Sequence, residues 1–529
     1  MLITKRNAAK GLAALAGAAM AGDARQAAAQ ARGGTLTVML ANEPPMLTSA
    51  FNTALPLGSV STKMLEGLLA YDAQMNPRPS LATSWQASPD GLTYTFRLRP
   101  SVKWHDGRDF TSADVAFSAM QVWKTMHPRG RAVFANLTAV ETPDALTAVF
   151  RLSGPSPVLL SALHAYESQI LPRHLYEGTD IATNPANAAP IGTGPFRFRE
   201  WRRGQFILLE RNPDYWDAGK PALDRVIFRI MTDAGARSAA MENGSVDIGF
   251  FSPVSLAETE RLKRNRNIEV TTRGYEYASP MFFMELNLRN RPLDDVRVRR
   301  AMMHALDRRF IIENIFLGYA EPATGPIPVS SPFYTPDVPR YDFNPRLANQ
   351  MLDEAGYRRG AGGWRFTITH DPVPQGDEHA QTADYVKQAF AQVGINVEVR
   401  RQDLASQIRR VSQWEFDMSS NPLFAMFDPA LGVTRLFWSG NINQGTPFTN
   451  VSGFRNAELD RIVAAQATER DPESRKRLFW RLQQIVMEEV PLLYLLEVKY
   501  ATIANTRVRN HTTDGAAAFG SFADITVQR

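Results

Sequence analysis

The residues of this sequence that could do chemistry are scattered, and none forms a recognisable catalytic or metal-binding pattern. There is no cysteine, which excludes disulfides, thiolate metal sites, a Cys nucleophile and a lipid-modified N-terminal Cys. The eight histidines show neither H-x-x-x-H nor H-E-x-x-H spacing, so we expect no metal site and no cofactor, although a nickel or haem cargo stays open. No G-x-S-x-G occurs, and the glycine-rich residues 360–363 lack a following Lys-Ser/Thr, which indicates a turn.

Arg409 and Arg410 form a cationic pair that could hold an anionic ligand. A guanidinium binds a carboxylate or a phosphate through two parallel hydrogen bonds. A solvated helix face is the competing interpretation of the pair. The adjacent carboxylates Asp294/Asp295 and Glu488/Glu489 indicate exposed helix ends.

The elements that must position such residues are clearest between Pro79 and Phe117. Residues 93–99 alternate apolar Tyr94, Phe96 and Leu98 with polar side chains, which predicts a half-buried strand. Asp-Gly turns flank this strand. Further on, Thr111 is followed three residues later by an acid, which predicts a capped helix.

Elsewhere strands and helices alternate, as in an α/β protein. A helix is predicted after Asp294 or Asp295, and another after Asp471-Pro472. The predicted strands include residues 35–40, 148–152, 197–201, 226–230, 246–250, 364–369 and 492–496.

At 529 residues the chain is too long for one core, so two or three domains are expected. Residues 1–31 resemble a signal peptide, with a basic start, a short apolar run over 11–21 and an A-x-A cleavage site near residues 29–31. The apolar run is about half of the roughly 20 residues that a membrane helix needs. We therefore expect an exported protein in a Gram-negative periplasm. Whether export uses the Sec or the twin-arginine route stays open.

Removing residues 1–31 takes away four basic residues and one acidic residue, so the net charge falls from +5 to +2. Nucleic-acid binding is not expected, because that function requires a clustered basic face.

Five blocks in fixed order resemble the family 5 extracellular solute-binding proteins of ABC transporters, the oligopeptide-, dipeptide- and nickel-binding group. The resemblance covers nearly all of the chain after the signal peptide. The blocks are Glu66-Gly67-Leu68, Leu81 to Phe117, Pro190 to Phe196 (PIGTGPF), Asn212 to Trp216 (NPDYW) and Arg291 to Ala301 (RPLDDVRVRRA).

The resemblance implies a two-lobed α/β clamp of the type II, cluster C periplasmic-binding-protein fold. Lobe one would comprise residues 32–51, 190–280 and 498–529, with an extra α+β domain inserted over residues 52–189. Lobe two would comprise residues 281–497. Strands near 276–286 and 494–504 would cross between the lobes as a hinge, and ligand binding would favour the closed form.

In peptide-binding relatives, an acid shortly before an Asp/Glu-Pro pair holds the α-ammonium of the ligand. Here Asp428-Pro429 matches the pair, but the expected acid position falls near Ala425. An ordinary peptide N-terminus is therefore disfavoured unless Asp428 or another acid substitutes. The resemblance and the apolar segment from Leu423 to Phe427 together predict ten ligand-binding residues, some of which could equally be core. They are Asn52, Thr53, Leu55, Arg410, Ser419, Asn421, Phe424, Met426, Phe427 and Asp428.

We therefore predict a monomeric, non-enzymatic solute receptor that delivers its ligand to inner-membrane ABC permease subunits. The ligand is expected to be a peptide-like or other small organic solute, with an anionic opine or a glutathione-like compound as a variant. Two alternatives stay open: a secreted hydrolase, and a sensory module that binds solute without transport.

Overall fold

A computed structural model describes residues 33–528 of the chain. The predicted signal peptide, residues 1–31, lies outside these described residues. Two large mixed sheets organise the described chain, and three smaller antiparallel sheets accompany them.

The first large sheet has seven strands drawn from both ends of the described chain. Its central strand begins at Thr35, as predicted, and pairs in parallel with two later strands. The strand predicted over residues 246–250 is shorter than expected and spans only Ile248–Gly249. In spatial order the strands are Ile268–Thr271, Thr502–Asn505, Ile248–Gly249, Thr35–Leu40, Arg225–Ile230, Phe206–Arg211 and Phe196–Arg202.

The second large sheet has six strands, and the adjacent strands Leu492–Val498 and Pro280–Leu286 are buried for most of their length. The strand Pro280–Leu286 is buried at all seven positions, because strands cover both of its edges and helices cover the sheet faces. In spatial order the strands are Ala320–Pro322, Leu492–Val498, Pro280–Leu286, Met418–Phe424, Phe366–Asp371 and Ile395–Val399.

The chain passes between the two large sheets through residues 272–279 and through residues 499–501. The second connection lies within the predicted crossing stretch 494–504, whereas the first overlaps only the beginning of the predicted stretch 276–286. They lie against each other, since the Tyr275 and Tyr500 rings are 5.9 Å apart and the Tyr275 hydroxyl is 2.8 Å from that of Thr502. Two short adjacent connections of this kind are compatible with hinge motion of one sheet against the other.

The predicted strand within residues 79–117 is confirmed as Thr93–Leu98, with its apolar residues buried and Arg97 exposed. It lies in a four-stranded sheet ordered Ala82–Ala87, Thr93–Leu98, Thr147–Leu152 and Leu137–Asp144. The predicted capping box of Thr111 and Asp114 is present at the helix that follows. Two-stranded sheets join Leu69–Tyr71 to Pro77–Pro79 and Val508–Arg509 to Thr526–Val527.

Three of the five sequence blocks meet at one buried carboxyl group, that of Glu66. This carboxyl accepts hydrogen bonds from the Thr193 hydroxyl at 2.8 Å, the Tyr215 hydroxyl at 2.9 Å and the Trp216 indole at 3.0 Å. His105 makes a second link, because its ring contacts the backbone of Gly192 and Gly194 at 3.1 and 3.0 Å. These contacts explain why the blocks occur together: they build one buried junction.

Helices cover the sheets, and two of them begin at the predicted capping residues Asp295 and Asp471. No helix within residues 33–528 has the length and apolar character needed to cross a membrane. The α-helices are Leu55–Ser61, Ser112–Phe117, Gly130–Val133, Arg173–Tyr176, Ala234–Glu242, Leu256–Leu262, Val296–His304, Arg308–Phe310, Pro345–Glu354, Asp377–Gln392, Leu404–Ser412, Pro429–Gly432, Ala457–Gln466 and Pro472–Glu489. Short 3-10 helices span Leu160–Ala162, Ile181–Thr183, Pro185–Asn187, Thr434–Leu436, Ser439–Asn441 and Ala517–Phe519, and π-helical turns span Ser118–Trp123 and Ile311–Ile315.

Candidate functional site

The segment from Asp417 to Pro429 leads from the six-stranded sheet to the crossing between the two large sheets. Its first part is the strand Met418–Phe424, antiparallel to Pro280–Leu286. Residues 425, 426 and 427 then donate backbone hydrogen bonds to the carbonyls of Ser279, Ala278 and Tyr277, at 3.0–3.2 Å. The segment is therefore attached directly to one of the two connections.

Met426 and Phe427, two of the nominated ligand residues, are placed in the core. Met426 is fully buried, and the Phe427 ring packs 5.4 Å from Tyr71 and 5.3 Å from Tyr277. These contacts give both side chains a packing role. Ligand contact by either one stays a prediction.

The Asp428 carboxylate already has two side-chain partners. Its carboxylate accepts two hydrogen bonds of 2.9 Å from the Arg475 guanidinium, and the Ser161 hydroxyl donates a third at 3.1 Å. It also caps the short helix that starts at Pro429. A carboxylate with these partners has little capacity left for a ligand ammonium.

Ser419 and Arg410 both lie next to Asp371, whose side chain is buried. The Ser419 hydroxyl donates to the Asp371 carbonyl at 2.9 Å and accepts from Gln407 at 2.9 Å. Arg410 is 4.0 Å from the Asp371 carboxylate, which already binds Arg400. The neighbouring Arg409 is exposed, as expected for a solvated helix face.

Asn52, Thr53 and Leu55 are half-buried and lie at the start of a short helix in the predicted extra domain. The Asn52 side chain accepts a hydrogen bond from the backbone of Ala54, and the Thr53 carbonyl accepts one of 2.5 Å from the Tyr166 hydroxyl. Leu55 packs against the apolar core of this half of the molecule.

A row of aromatic rings links Tyr166 to the nominated Phe424. The Tyr166 ring stacks on Phe519 at 3.9 Å, and Phe519 lies 5.3 Å from Phe251. Phe251 lies 5.6 Å from Tyr500 and 6.5 Å from Phe424. Phe424 belongs to the six-stranded sheet, whereas Tyr166 belongs to the predicted extra domain. We call this aromatic row the seam, and we include in it the charged side chains beside it, Arg129, Glu167 and Arg435.

Arg435 is the cation that the sequence analysis missed. It is half-buried and donates to two backbone carbonyls, those of Gly432 at 3.2 Å and Phe448 at 3.0 Å. Among residues 33–528, no carboxylate lies within 4 Å of its guanidinium. Burial lowers the pKa of Arg435 to about 10, and the nearby positive charge of Arg129 acts in the same direction.

On the opposite side of the seam, Arg129 is already paired. Its guanidinium binds the buried Glu167 carboxylate at two points, one of them a hydrogen bond of 2.7 Å, and it lies 5.5 Å from the centre of the Tyr166 ring. Of the two arginines, Arg435 is thus the one left without a counter-ion. A half-buried cation in that state is well suited to bind an anionic ligand.

One sequence signal could have revealed Arg435. It is the one charged residue in the otherwise apolar or small run from Pro429 to Trp438. The electrostatic influence of Arg129 and Glu167 on it depends on the tertiary structure. No group of three or more His, Asp or Glu within residues 33–528 is arranged to hold a metal ion, and no cofactor site is assigned.

Comparison with known proteins identifies the class. Residues 76–445 match the model of the bacterial extracellular solute-binding proteins, family 5 (middle). A glutathione-binding protein, GsiB from Salmonella paratyphi A, is 27% identical over 468 residues, which cover 83% of this chain and 84% of that protein.

Two solved structures are also similar. The oligopeptide-binding protein AppA of Bacillus subtilis, in complex with a nonapeptide, has a TM-score of 0.81 and 25% identity, covering 94% of this chain and 100% of that one. AgaA of A. tumefaciens R10, in complex with agropinic acid, has a TM-score of 0.77 and 26% identity, covering 94% and 99%.

This chain belongs to the family 5 extracellular solute-binding proteins. Its fold is the type II periplasmic-binding-protein fold, as predicted. Family membership confirms the prediction of a substrate-binding protein of ABC importers in place of an enzyme. Members of the family bind peptide-like ligands and deliver them to permease subunits.

Proposed function

We propose that this protein is the periplasmic receptor of an ABC importer and captures a small, carboxylate-bearing, peptide-like organic solute at the seam. The observation that carries the proposal is Arg435, a guanidinium with backbone partners only. A ligand carboxylate would supply the missing counter-ion through two charge-assisted hydrogen bonds. The aromatic row would cover the apolar parts of the ligand.

The names of the relatives support this ligand class. Glutathione, a nonapeptide and agropinic acid are all organic solutes that carry carboxyl groups. The proposal also includes the lobe boundaries predicted from the sequence, at residues 190, 280 and 498, and the extra domain over residues 52–189. A ligand must touch both sides of the seam to favour the closed form. It further includes the predictions that the signal peptide is cleaved, that the receptor is a monomer and that it has no nucleic-acid partner.

The first test is a thermal-shift screen of the mature protein with glutathione, di- and tripeptides, opines, sugars and Ni²⁺–histidine. A carboxylate-bearing solute should raise the melting temperature, because a ligand that binds only the native state stabilises it. Calorimetry should then show that Arg435→Gln weakens binding about 10- to 100-fold, the range for losing a charged hydrogen-bond pair. The exposed Arg477→Gln serves as the matched control.

Several outcomes would contradict the proposal. Tight binding of a neutral sugar with no effect of Arg435→Gln would overturn the ligand class. Turnover of any bound compound would favour the hydrolase alternative. Solute binding without uptake by the permease in membrane vesicles would favour the sensory alternative.

A further inference from the structure

A two-residue turn, Phe251-Ser252, contacts both connections between the large sheets. It follows the strand Ile248–Gly249 of the seven-stranded sheet. The Phe251 N–H donates to the hydroxyl of Tyr275, on the first connection, at 2.9 Å. On the second connection, the Ala501 carbonyl accepts from the Ser252 N–H at 2.8 Å, and the Ala501 N–H donates to the Ser252 hydroxyl at 3.1 Å. One turn of the first sheet is thus bonded to both connections.

The backbone of this turn has an unfavourable conformation. Phe251 and Ser252 have φ angles of 59° and 51°, in the left-handed region that residues with a β-carbon rarely adopt. Such a conformation persists when surrounding contacts hold it, and it is found most often at functional or moving parts of proteins. The contacts here are the three hydrogen bonds to the connections. The Tyr275 hydroxyl that holds Phe251 is itself placed by Thr502, whose hydroxyl is 2.8 Å away.

The turn directs the Phe251 ring across the crossing. Its ring centre lies 5.2 Å from that of Tyr275 and 5.6 Å from that of Tyr500, so it contacts a ring of each connection. It also lies 6.5 Å from Phe424, a residue of the six-stranded sheet. Because the backbone angles of a residue fix the direction of its β-carbon, the position of this ring in the seam depends on the turn.

The hydrogen bonds of the turn must change when the two sheets move. The connections are the parts of the chain that bend in a hinge motion, whereas the turn is anchored to one sheet. In the structure the two halves touch, since Phe251 approaches Phe424 and the Ser161 hydroxyl donates to Asp428. The three bonds therefore belong to the arrangement in which the halves are together. A ligand that packs on the Phe251 ring and on the opposite side favours that arrangement.

We infer that the Phe251-Ser252 turn couples ligand binding at the seam to closure of the two halves. Phe251 contacts the ligand. Tyr275 and Ser252 are positioning residues, which act by holding the turn in the conformation that places the Phe251 ring. This inference rests on the proposed function and goes beyond it, because it assigns the residues through which an occupied seam acts on the hinge.

The first test is Tyr275→Phe, which removes the hydroxyl and keeps the ring. The probes are glutathione, the dipeptide Gly-Leu and agropinic acid. For each probe that the wild type binds, Tyr275→Phe should weaken binding about 5- to 30-fold, because the closed form loses the hydrogen bond to the turn. The loss should appear as faster dissociation in stopped-flow measurements, with the association rate within about threefold of the wild type. Small-angle X-ray scattering at saturating probe should give a larger radius of gyration for the variant.

Tyr176→Phe is the matched control. Tyr176 is also a buried tyrosine, and its hydroxyl donates to the Asn187 side chain at 2.9 Å, within the predicted extra domain. This variant loses a comparable buried hydrogen bond away from the connections. It should therefore match the wild type in dissociation rate and in radius of gyration with bound probe.

A second pair of variants tests the backbone of the turn. Ser252→Ala and Ser252→Gly both remove the hydroxyl that binds the Ala501 N–H. Glycine adopts the left-handed conformation without a steric penalty, whereas alanine does not. Ser252→Gly should therefore bind each probe about fivefold more tightly than Ser252→Ala. Melting temperatures without ligand establish that each variant is folded.

The outcomes separate this inference from the proposed function. If Tyr275→Phe lowers the melting temperature but keeps the wild-type dissociation rate and radius of gyration, Tyr275 is a structural residue. The coupling inference then fails and the receptor assignment stands. Equal affinities of Ser252→Ala and Ser252→Gly, or equally fast dissociation from Tyr176→Phe, would overturn the inference in the same way. If Tyr275→Phe does not fold, the Ser252 pair decides. If the wild type binds none of the three probes, both the ligand class and the inference fail.

Discussion

Asp428 and Arg475 form a buried, two-pronged ion pair, with Oδ2–Nη1 and Oδ1–Nη2 distances of 2.9 Å. Their side chains are 3% and 6% exposed. The pair joins the end of the segment that follows the six-stranded sheet to the helix Pro472–Glu489. The Ser161 hydroxyl reaches the same carboxylate from the predicted extra domain. Asp428 therefore stabilises the wall of the seam and is occupied before any ligand arrives.

Arg475→Met should lower the free energy of unfolding by about 3–5 kcal/mol, because it leaves the Asp428 charge buried without a partner. The measurement is urea unfolding followed by tryptophan fluorescence. Arg477→Gln on the same helix should change stability by less than about 0.5 kcal/mol, since its ion pair with Asp471 is long and exposed. Equal losses of unfolding free energy in the two variants would mean that the buried Asp428–Arg475 pair stabilises the protein no more than the exposed pair does.

Glu66 should make stability depend on pH. Burial raises the pKa of its carboxyl to about 7, against an ordinary value of 4.5. The stability contributed by this raised pKa is fully present below pH 4.5 and is lost as the pH rises through 7. Glu66→Gln removes this titration, so relative to the wild type it should gain up to about 3 kcal/mol between pH 4.5 and pH 8.

Melting curves of both proteins at half-unit pH steps measure that difference. The other buried acids titrate equally in both proteins and cancel from the comparison. The exposed Glu177→Gln should track the wild type at every pH. A constant offset between wild type and Glu66→Gln would show that Glu66 does not titrate in this range.

Gly192→Ala should be severely destabilising. A β-carbon at this position would lie 1.7 Å from the Met64 carbonyl oxygen, a backbone atom that cannot move aside alone. We expect a loss of about 3 kcal/mol or more, at the upper end of overpacking costs. Gly360→Ala is the matched control, because its β-carbon would meet its nearest neighbour at an ordinary 3.5 Å. Thermal denaturation of both variants checks the prediction, which a wild-type melting temperature for Gly192→Ala would refute.

Arg410→Ala tests the cation that the sequence nominated. Because Arg410 lies beside Asp371, and Arg435 lies at the seam, we expect Arg410→Ala to change ligand affinity by less than about threefold. Arg409→Ala, its exposed neighbour, is the control. Calorimetry with the best solute from the thermal-shift screen provides the comparison. A tenfold loss in Arg410→Ala alone would support the sequence-based site instead.

The sequence by itself determined the local elements and the class of protein. Period-two burial at Tyr94, Phe96 and Leu98 and the cap at Thr111 follow from nearest neighbours along the chain, so they could be predicted. The blocks, including those that meet at Glu66, indicated the family through their residues and their order along the chain. The strand at residues 246–250 was predicted too long, because tertiary pairing limits it to two residues.

Only the tertiary structure decided which charged side chains already have a partner of opposite sign. Asp428 and Arg475 are 47 residues apart in sequence, so their pairing could not be read from the segment that contains Asp428. Arg435 stands out in its local run as the one charged residue, but the run alone does not show that its partners are backbone carbonyls only. The physical reason is that a charge becomes available to a ligand through the absence of a partner in space. Local sequence specifies where a charge lies along the chain, and the fold specifies whether another residue has already neutralised it.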